Sequence, residues 1–221
     1  MADILPGYRY SNEANRYVSS ATGRFVARRE ILGLLNSQTN QGGDRLGALA
    51  TALQDGAISR GVFAEQFAQE IKRLHLQNRA LGAGGWDRLT AADYGAVGGK
   101  LQADYRRLLS FADAIANGEI SIAQALNRAN MYAGNARTQY WDAWRSRNRA
   151  GIGRTLIEKR NLGAAEHCGD CTDLHARGWQ MAGTLPTPGD GSTECLSNCK
   201  CSLEVREVDI LIVGEWLGTR R

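Results

Sequence analysis

The chain has 221 residues, of which 43% are hydrophobic and 23% charged, and its formal net charge is +4. This composition is typical of a soluble globular protein with one ordinary domain or two small ones. No apolar run approaches the ~18 residues of a membrane span, so we expect no transmembrane helix, and so mild a positive charge does not by itself predict nucleic-acid binding.

Residues 1–6 lack the basic and long apolar segments of a secretory signal peptide. We therefore expect the chain to mature in a reducing compartment, where thiols are more often metal ligands than disulfides. The chain has five cysteines, and this odd number also argues against a fully paired disulfide framework.

Residues 1–26 are predicted to form an extended amino-terminal arm. They contain several β-favouring residues, and the segment 21–23 is typical of a turn between two extended pieces. The segment has too little apolar sequence for an independent sheet. We therefore expect its aromatic residues, Tyr8, Tyr10 and Phe25, to dock on a neighbouring protein.

Residues 27–147 are predicted to form a helical body that begins with two short helices. The first covers residues 27–36, and the polar segment 38–43 is predicted to end it. Asp44 is placed to cap the second helix, and Gly56 stands in the position that ends one.

Capping patterns and an apolar stripe predict the next two helices. Ser59 is the expected N-cap of a helix that ends near Leu81. Thr90 and Asp93 form a capping box that opens the longest predicted helix, which ends at residues 117–118. Its stripe is close to a heptad seam and consists of Tyr94, Val97, Leu101, Tyr105, Leu108, Ala112 and Ile115.

A second capping box, Ser121 with Gln124, opens the last predicted helix of the body. The segments 55–59 and 117–121 are similar, each with a helix-ending glycine followed by a serine cap. Two copies of one helix connector are the favoured interpretation, and a duplicated helical hairpin is the alternative.

Residues 148–221 are predicted to form a cysteine-rich carboxyl-terminal domain. Segments 155–158, 202–205 and 210–213 have the composition of short strands. The predicted fold class is therefore mainly α, a helical body with an extended amino-terminal arm and a small cysteine-rich α/β tail. All five cysteines lie in this last domain: Cys168, Cys171, Cys195, Cys199 and Cys201.

The spacing of the cysteines predicts a structural zinc site. A C-x-x-C pair and a C-x-x-x-C-x-C group are separated by a loop of 23 residues, and zinc in such sites takes four thiolates or imidazoles. Cys168 and Cys171 supply one half, and Cys195 with either Cys199 or Cys201 supplies the other. His167 and His175 are alternative ligands. The domain has little core of its own, so that one zinc ion would hold its turns together.

Other interpretations of the cysteines remain open. Five metal-free thiols and disulfides are the main alternatives, and a thioredoxin-like redox pair or a Cys/His nucleophile pair is disfavoured because the flanking segments resemble loops. His75 is expected to be a surface or packing residue. No phosphate-binding loop, dinucleotide fingerprint or hydrolase motif occurs in the sequence, so we expect no enzymatic activity.

Two further patterns concern surfaces. A basic cluster, favoured as a solvated or partner-facing surface over a nucleic-acid groove, consists of Arg145, Arg147, Arg149, Arg154, Lys159 and Arg160. The aromatic and basic segment 140–147 is predicted to pack against protein rather than to stack on nucleotides.

Three parts of the tail together resemble a known family. They are His167-Cys-Gly-Asp-Cys171, the segment 185–191 (Leu-Pro-Thr-Pro-Gly-Asp-Gly), and Cys195-Leu-Ser-Asn-Cys-Lys-Cys201. This arrangement resembles the carboxyl-terminal signature of phage head morphogenesis proteins, the minor head or minor capsid proteins related to the phage Mu F protein. Lys200 stands where that family usually has arginine. Residues 16–26 are also similar to leaders of phage structural proteins.

The resemblance implies a bacteriophage virion component near the portal, present in few copies and without known enzymatic activity. Its expected partners are portal, capsid or connector subunits and further copies of itself, and it would be assembled into the virion in the host cytoplasm. The alternative of a different class is a zinc-ribbon protein that binds packaged DNA.

Overall fold

The computed structural model describes residues 7–147, 152–163 and 166–210. This part of the chain is mainly helical, with seven α-helices and five short strands. Contacts divide the chain into two compact units, Met1–Ala143 and Trp144–Arg221. None of the helices in the described ranges combines the length and the apolar character needed to cross a membrane.

The first unit contains a β-hairpin followed by α-helices. Its elements are β1 (Tyr8–Ser11), β2 (Arg16–Ser19), α1 (Arg28–Gln54), α2 (Arg60–Ala83), α3 (Ala91–Tyr105), α4 (Leu108–Ala116), α5 (Ile122–Asn135) and most of α6 (Thr138–Arg147). A short 3-10 helix, Trp86–Arg88, precedes α3. The predicted helical character of this region is confirmed, although several helix limits differ.

Three of the predicted helix caps, those of α2, α3 and α5, are confirmed. The Ser59 hydroxyl accepts a hydrogen bond from the Val62 backbone N–H at the start of α2. Thr90 with Asp93 and Ser121 with Gln124 form complete capping boxes at the starts of α3 and α5. These side chains bind backbone N–H groups that have no partner within the helix, and so fix where each helix begins.

The predicted helix break at residues 38–43 is wrong, and α1 is one helix of 27 residues. Asp44 therefore lies inside the helix and caps nothing. A Cβ atom at Gly42 would collide with Leu74 of α2, and one at Gly43 would collide with Asn130 of α5. The glycines are close-packing positions, and the contacts of α1 with α2 and α5 offset their poor helix propensity.

The predicted long helix over 90–117 is two helices, because the backbone leaves α3 at Arg106 and re-enters a helix after Arg107. A similar interruption at 136–137 separates α5 from α6. Most of the predicted stripe is nevertheless buried: Val97, Leu101, Leu108, Ala112 and Ile115. Because α3 and α4 each bury their own part of the stripe, the spacing of apolar residues looks the same with or without a break between the two helices.

The two similar connectors have the same conformation. Gly56 and Gly118 have φ of +70° and +69°, in the left-handed region that favours glycine. Each ends a helix, and each is followed by a serine, Ser59 or Ser121, that caps the next one. This agreement supports the interpretation as one helix connector used twice.

A continuous apolar core fills the first unit. Phe63 and Phe67 of α2, Phe111 of α4 and Tyr132 of α5 form its aromatic centre, with ring centroids 5.0–6.0 Å apart. The aliphatic part includes Leu46, Leu53, Ile71, Leu74, Leu101 and Ile115. Full burial of each such side chain contributes about 1.5–3 kcal/mol, so apolar packing is a main source of this unit's stability.

The described part of the predicted arm, residues 7–26, packs within the first unit, and residues 1–6 lie outside the described residues. β1 and β2 form an antiparallel hairpin, and the turn predicted at 21–23 brings Phe25 back to bridge Val18. Tyr17 is buried, and its hydroxyl donates to the carbonyl of Leu81. Tyr8 and Phe25 remain exposed. Tyr10 packs edge to face against Tyr17 inside the unit, so the chain itself covers this ring, whereas docking of the exposed Tyr8 and Phe25 on a neighbouring protein stays a prediction.

Among its described residues, the second unit contains a small antiparallel sheet and the helix α7, besides the end of α6. Its elements are β3 (Arg154–Asn161), α7 (Gly169–Ala176), β4 (Gln180–Met181) and β5 (Ser202–Asp209), with the strand order β4-β3-β5. The strands predicted at 155–158 and 202–205 are confirmed. The strand predicted at 210–213 falls almost entirely outside the described residues.

Candidate metal centre

Three local structures place the five cysteines. Cys168 directly precedes α7 and Cys171 lies in its first turn. Cys195 and Cys199 flank a one-turn 3-10 helix, Leu196–Asn198. Cys201 precedes β5 by one residue. The structure thus brings together all five cysteines that the sequence predicted as ligands.

The sulfur atoms are at distances that suit a shared metal. Cys171 Sγ lies 3.6 Å from Cys195 Sγ and 3.6 Å from Cys199 Sγ. Zinc–sulfur bonds of about 2.3 Å in a tetrahedron place neighbouring sulfur atoms about 3.8 Å apart. The cysteine cluster could therefore hold a metal ion.

Hydrogen bonds join the two cysteine-bearing turns directly. The Glu194 backbone N–H donates to Asp170 Oδ2 at 2.9 Å, and Glu194 Oε2 accepts from the Gly169 N–H at 3.1 Å. Both bonds form between groups next to thiol residues, so they hold the start of α7 against the segment that carries Cys195. The thiol arrangement is thus supported by the backbone as well as by the sulfur atoms.

The close approach of the thiols shifts their acidities in opposite directions. Hydrogen bonding from Cys201, with help from the Arg160 guanidinium, lowers the pKa of Cys199 to about 4. Hydrogen bonding to Cys199 and burial raise the pKa of Cys201, and burial raises the pKa of Cys171 and of Cys195. A bound cation would stabilise all of these sulfurs as thiolates, the form that binds metal.

All five cysteines are free thiols in the structure, which contradicts the disulfide interpretation of the sequence. Cys171, Cys199 and Cys201 are buried, whereas Cys168 and Cys195 are half-buried. Buried thiols that face one another are poorly accessible to a substrate, which favours a structural site over a nucleophile.

Arg160 belongs to this site, and sequence reasoning missed it. Its side chain is fully buried, with Nη1 donating to Cys199 Sγ at 3.8 Å and Nη2 donating to the Pro186 carbonyl at 2.8 Å. Alternation along β3 places it on the same face as Glu158. No pattern in the sequence marks that face as the buried one.

Arg145 also points inward. Its guanidinium binds both carboxylate oxygens of Glu158, at 3.0 and 3.1 Å, and donates to the Leu185 carbonyl and the Thr187 hydroxyl. Glu158 is fully buried and accepts from the Leu185 N–H as well. The predicted basic surface is therefore wrong for Arg145 and Arg160, which instead anchor the Pro/Gly-rich loop.

The histidines differ in their relation to the cluster. His167 Nδ1 lies 3.8 Å from Cys201 Sγ, within reach of a shared ion, while its Nε2 is 2.9 Å from the Gly163 carbonyl. His175 Nδ1 instead lies 2.7 Å from the Arg160 carbonyl. His75 is fully buried in α2, 3.4 Å from an Asp104 carboxylate oxygen, which fits the expected packing role.

An aromatic pair, Tyr140 and Trp141, lies inside the first unit just before its end at Ala143. Tyr140 and Trp141 are buried, and their rings meet edge to face with centroids 4.9 Å apart. Packing against protein, the favoured interpretation of this segment, is confirmed for both residues. Neither ring is available to stack on a nucleotide.

In comparisons with protein-family models, with curated proteins and with solved structures, nothing matches this chain. The resemblance to phage head proteins therefore depends on the cysteine and Pro/Gly motifs alone.

Proposed function

We propose that this chain is a bacteriophage virion structural protein, a minor head or head–tail connector component, and that its cysteine cluster holds structural zinc. The observation that carries the proposal is the convergence of the family-like motifs. The two cysteine motifs supply the clustered thiols, and the Pro/Gly segment 185–191 lies beside them through the Arg160 contact with Pro186.

The chemistry of the cluster supports zinc in a structural role. Thiolates are the ligands of structural zinc sites, and such sites contribute directly to folding. The second unit has few other sources of stability, because its fully buried aliphatic side chains in the described ranges are Ile157, Leu174, Leu185 and Leu203. A metal that joins α7, the 196–198 turn and the start of β5 would hold this unit together.

A role in assembly rather than catalysis fits the surroundings of the thiols. The His167 and His175 rings each have a nitrogen bonded to a backbone carbonyl, and the buried thiols face one another. An enzyme of the Cys/His type needs an accessible thiol paired with an oriented base. The working parts of the protein would therefore be its surfaces.

The proposal is tested by looking for the chain in particles. Phage particles produced by the host that carries this gene should contain it in a few copies, detected by mass spectrometry of gradient-purified virions. A density map should place it near the portal. Absence from intact particles that contain portal and capsid proteins would overturn the assignment.

One observation favours the second candidate, a nucleic-acid-binding protein. The cationic groups of Lys159 and Arg206 lie 5.5 and 4.5 Å from the centre of the Trp179 ring, and strand register places both on the sheet face opposite Glu158. An aromatic ring beside two cations can stack on a base while the cations bind phosphate. Arg206 is also paired with Glu204, which weakens this argument.

Salt dependence separates the two candidates. A protein that makes roughly six phosphate contacts should lose about a thousandfold in DNA affinity between roughly 50 and 200 mM salt. The virion component should show no tight binding at either concentration. If strong salt-dependent binding occurs and is lost in Trp179→Ala but retained in the matched variant Trp86→Ala, the second candidate is favoured.

A further inference from the structure

The five thiols form two groups that overlap in one residue. Cys168, Cys171 and Cys195 have sulfur atoms that all lie within 4.8 Å of one another, and the same holds for Cys171, Cys199 and Cys201. Cys171 Sγ is 3.6 Å from a member of each group, Cys195 and Cys199. It therefore occupies the position between the two groups.

A single tetrahedral ion does not account for this arrangement. One zinc ion binds a set of four donors that are mutually about 3.8 Å apart, and each group here has the size of one triangular face of such a tetrahedron. An ion on the first group would leave Cys199 and Cys201 as buried thiols without metal. An ion on the second group would leave Cys168 and Cys195, which are half-buried, as thiols without metal.

A bridging thiolate resolves the overlap. A cysteine sulfur has more than one lone pair, so that it can bind one ion through each of two lone pairs. Cys171 lies in the first turn of α7, where the helix holds its side chain between Cys195 on one side and Cys199 on the other. Both ions could thus be held by one sulfur without rearranging either turn.

His167 is placed to complete the second ion's set of ligands. Its Nε2 lies 2.9 Å from the Gly163 carbonyl, and only a protonated nitrogen can make that hydrogen bond. The proton is thereby fixed on Nε2, which leaves the Nδ1 lone pair directed to the region of Cys201, 3.8 Å away. Metal-binding histidines commonly have their other nitrogen bonded to a backbone carbonyl in this way.

The charges also balance for two ions. Five thiolates carry five negative charges, whereas two divalent ions and the fully buried guanidinium of Arg160 carry five positive charges. Arg160 is close enough to the cluster to count, since its Nη1 lies 3.8 Å from Cys199 Sγ. With one ion and four thiolates, the buried site would keep a net negative charge, which is unfavourable away from water.

We propose that the cysteine cluster binds two divalent ions of the zinc type, bridged by Cys171. With the shared Cys171, Cys168 and Cys195 give the first ion three ligands and leave its fourth position to solvent, whereas Cys199, Cys201 and His167 complete four ligands for the second. This inference rests on the proposal that the cluster is a metal site. The first ion lies on the more accessible side, because Cys168 and Cys195 are half-buried while Cys199 and Cys201 are buried. It should therefore leave first when a chelator is added.

The test is the number of ions per chain, measured by native mass spectrometry on the full-length protein produced with zinc present. Two ions are expected, and release to a chromogenic chelator should occur in two equal phases. Cys168→Ser should remove the fast phase and leave one ion. His167→Gln should accelerate the slow phase, whereas Asp173→Asn, a control at an exposed position of α7, should not change either phase.

The possible results separate this inference from the proposed function. One ion per chain overturns the two-ion site and leaves a structural zinc site in place, and no ion overturns both. The virion assignment is decided independently by the content of purified particles. If Cys168→Ser does not fold, X-ray absorption of the wild-type protein still decides, since two bridged ions should show a metal neighbour at about 3.5–4 Å.

Discussion

The two units of this protein achieve a defined structure by different means. The first buries a continuous apolar core across its helices, with four aromatic rings at its centre. The second buries three cysteines, a glutamate and an arginine, with four aliphatic side chains among its described residues. Apolar packing is distributed over many contacts, whereas a thiol cluster concentrates stability in a few. The two units should therefore respond differently to the same perturbation.

The largest expected effect is the loss of the second unit's structure when its thiol cluster is broken. Cys171→Ser removes the sulfur that both thiol groups share. Amides of β3 and β5 should then exchange hydrogen near the rate of an unfolded chain, while amides of α2 stay protected, because the first unit has its own core. Hydrogen exchange followed by mass spectrometry resolves the two units.

Asp173→Asn provides the matched control for that variant, since it changes an exposed residue on the same helix. It should leave protection in both units unchanged. If Cys171→Ser removed protection from α2 as well, the two units would be one cooperative structure and the comparison between them would fail.

The second largest effect should be confined to the first unit. Phe67 is fully buried and its ring meets those of Phe63, Phe111 and Tyr132. Phe67→Ala should lower the free energy of unfolding by about 3–5 kcal/mol, through lost apolar burial and a cavity. Denaturant unfolding followed by helical circular dichroism measures the change. The zinc content should not change, and Leu109→Ala, at a position that is 67% exposed, should alter stability by less than about 0.5 kcal/mol.

Alkaline pH should also destabilise the first unit through its buried tyrosines, because all seven tyrosines lie at or before residue 140. Burial raises the pKa of Tyr140 to about 12, whereas an unfolded tyrosine ionises near pH ~10. Between those values the unfolded state has lost a proton that the folded state keeps, so the free energy of unfolding falls as pH rises.

The expected loss from Tyr140 is about 2–3 kcal/mol between pH ~10 and ~12. Burial raises the pKa of Tyr17 as well, which adds a decline in the same direction. Denaturant unfolding at a series of pH values should show the decline, and Tyr140→Phe should make it shallower. An unchanged slope in that variant would mean that Tyr140 can ionise in the folded state.

Local sequence signals predicted the features that local chemistry determines. The Ser59 cap and the two capping boxes need only side chains within three residues, and all are present. The strands at 155–158 and 202–205 and the convergence of the five cysteines followed from composition and spacing in the same way. Features that depend on a distant partner were missed.

Arg160 illustrates what the sequence could not reveal about the candidate site. Arginine is usually exposed, and the sequence places it in a basic cluster. Its burial depends on Cys199 and Pro186, which lie 39 and 26 residues further along the chain. The helix break assigned to 38–43 failed for the same reason, because the partners of Gly42 and Gly43 lie in α2 and α5.

The smallest predicted effect tests whether close packing at a glycine holds α1 in place. Gly42→Ala should destabilise the first unit by about 1–3 kcal/mol, because the new methyl group would collide with the side chain of Leu74 of α2, which is fully buried in the core and has little room to move. Gly33→Ala is the matched control in the same helix, where a Cβ meets nothing within 4 Å. It should stabilise by up to about 1 kcal/mol through helix propensity alone. Denaturant unfolding of the pair gives opposite signs if the glycine serves packing, whereas stabilisation by both substitutions would mean that the Leu74 side chain can move aside without cost.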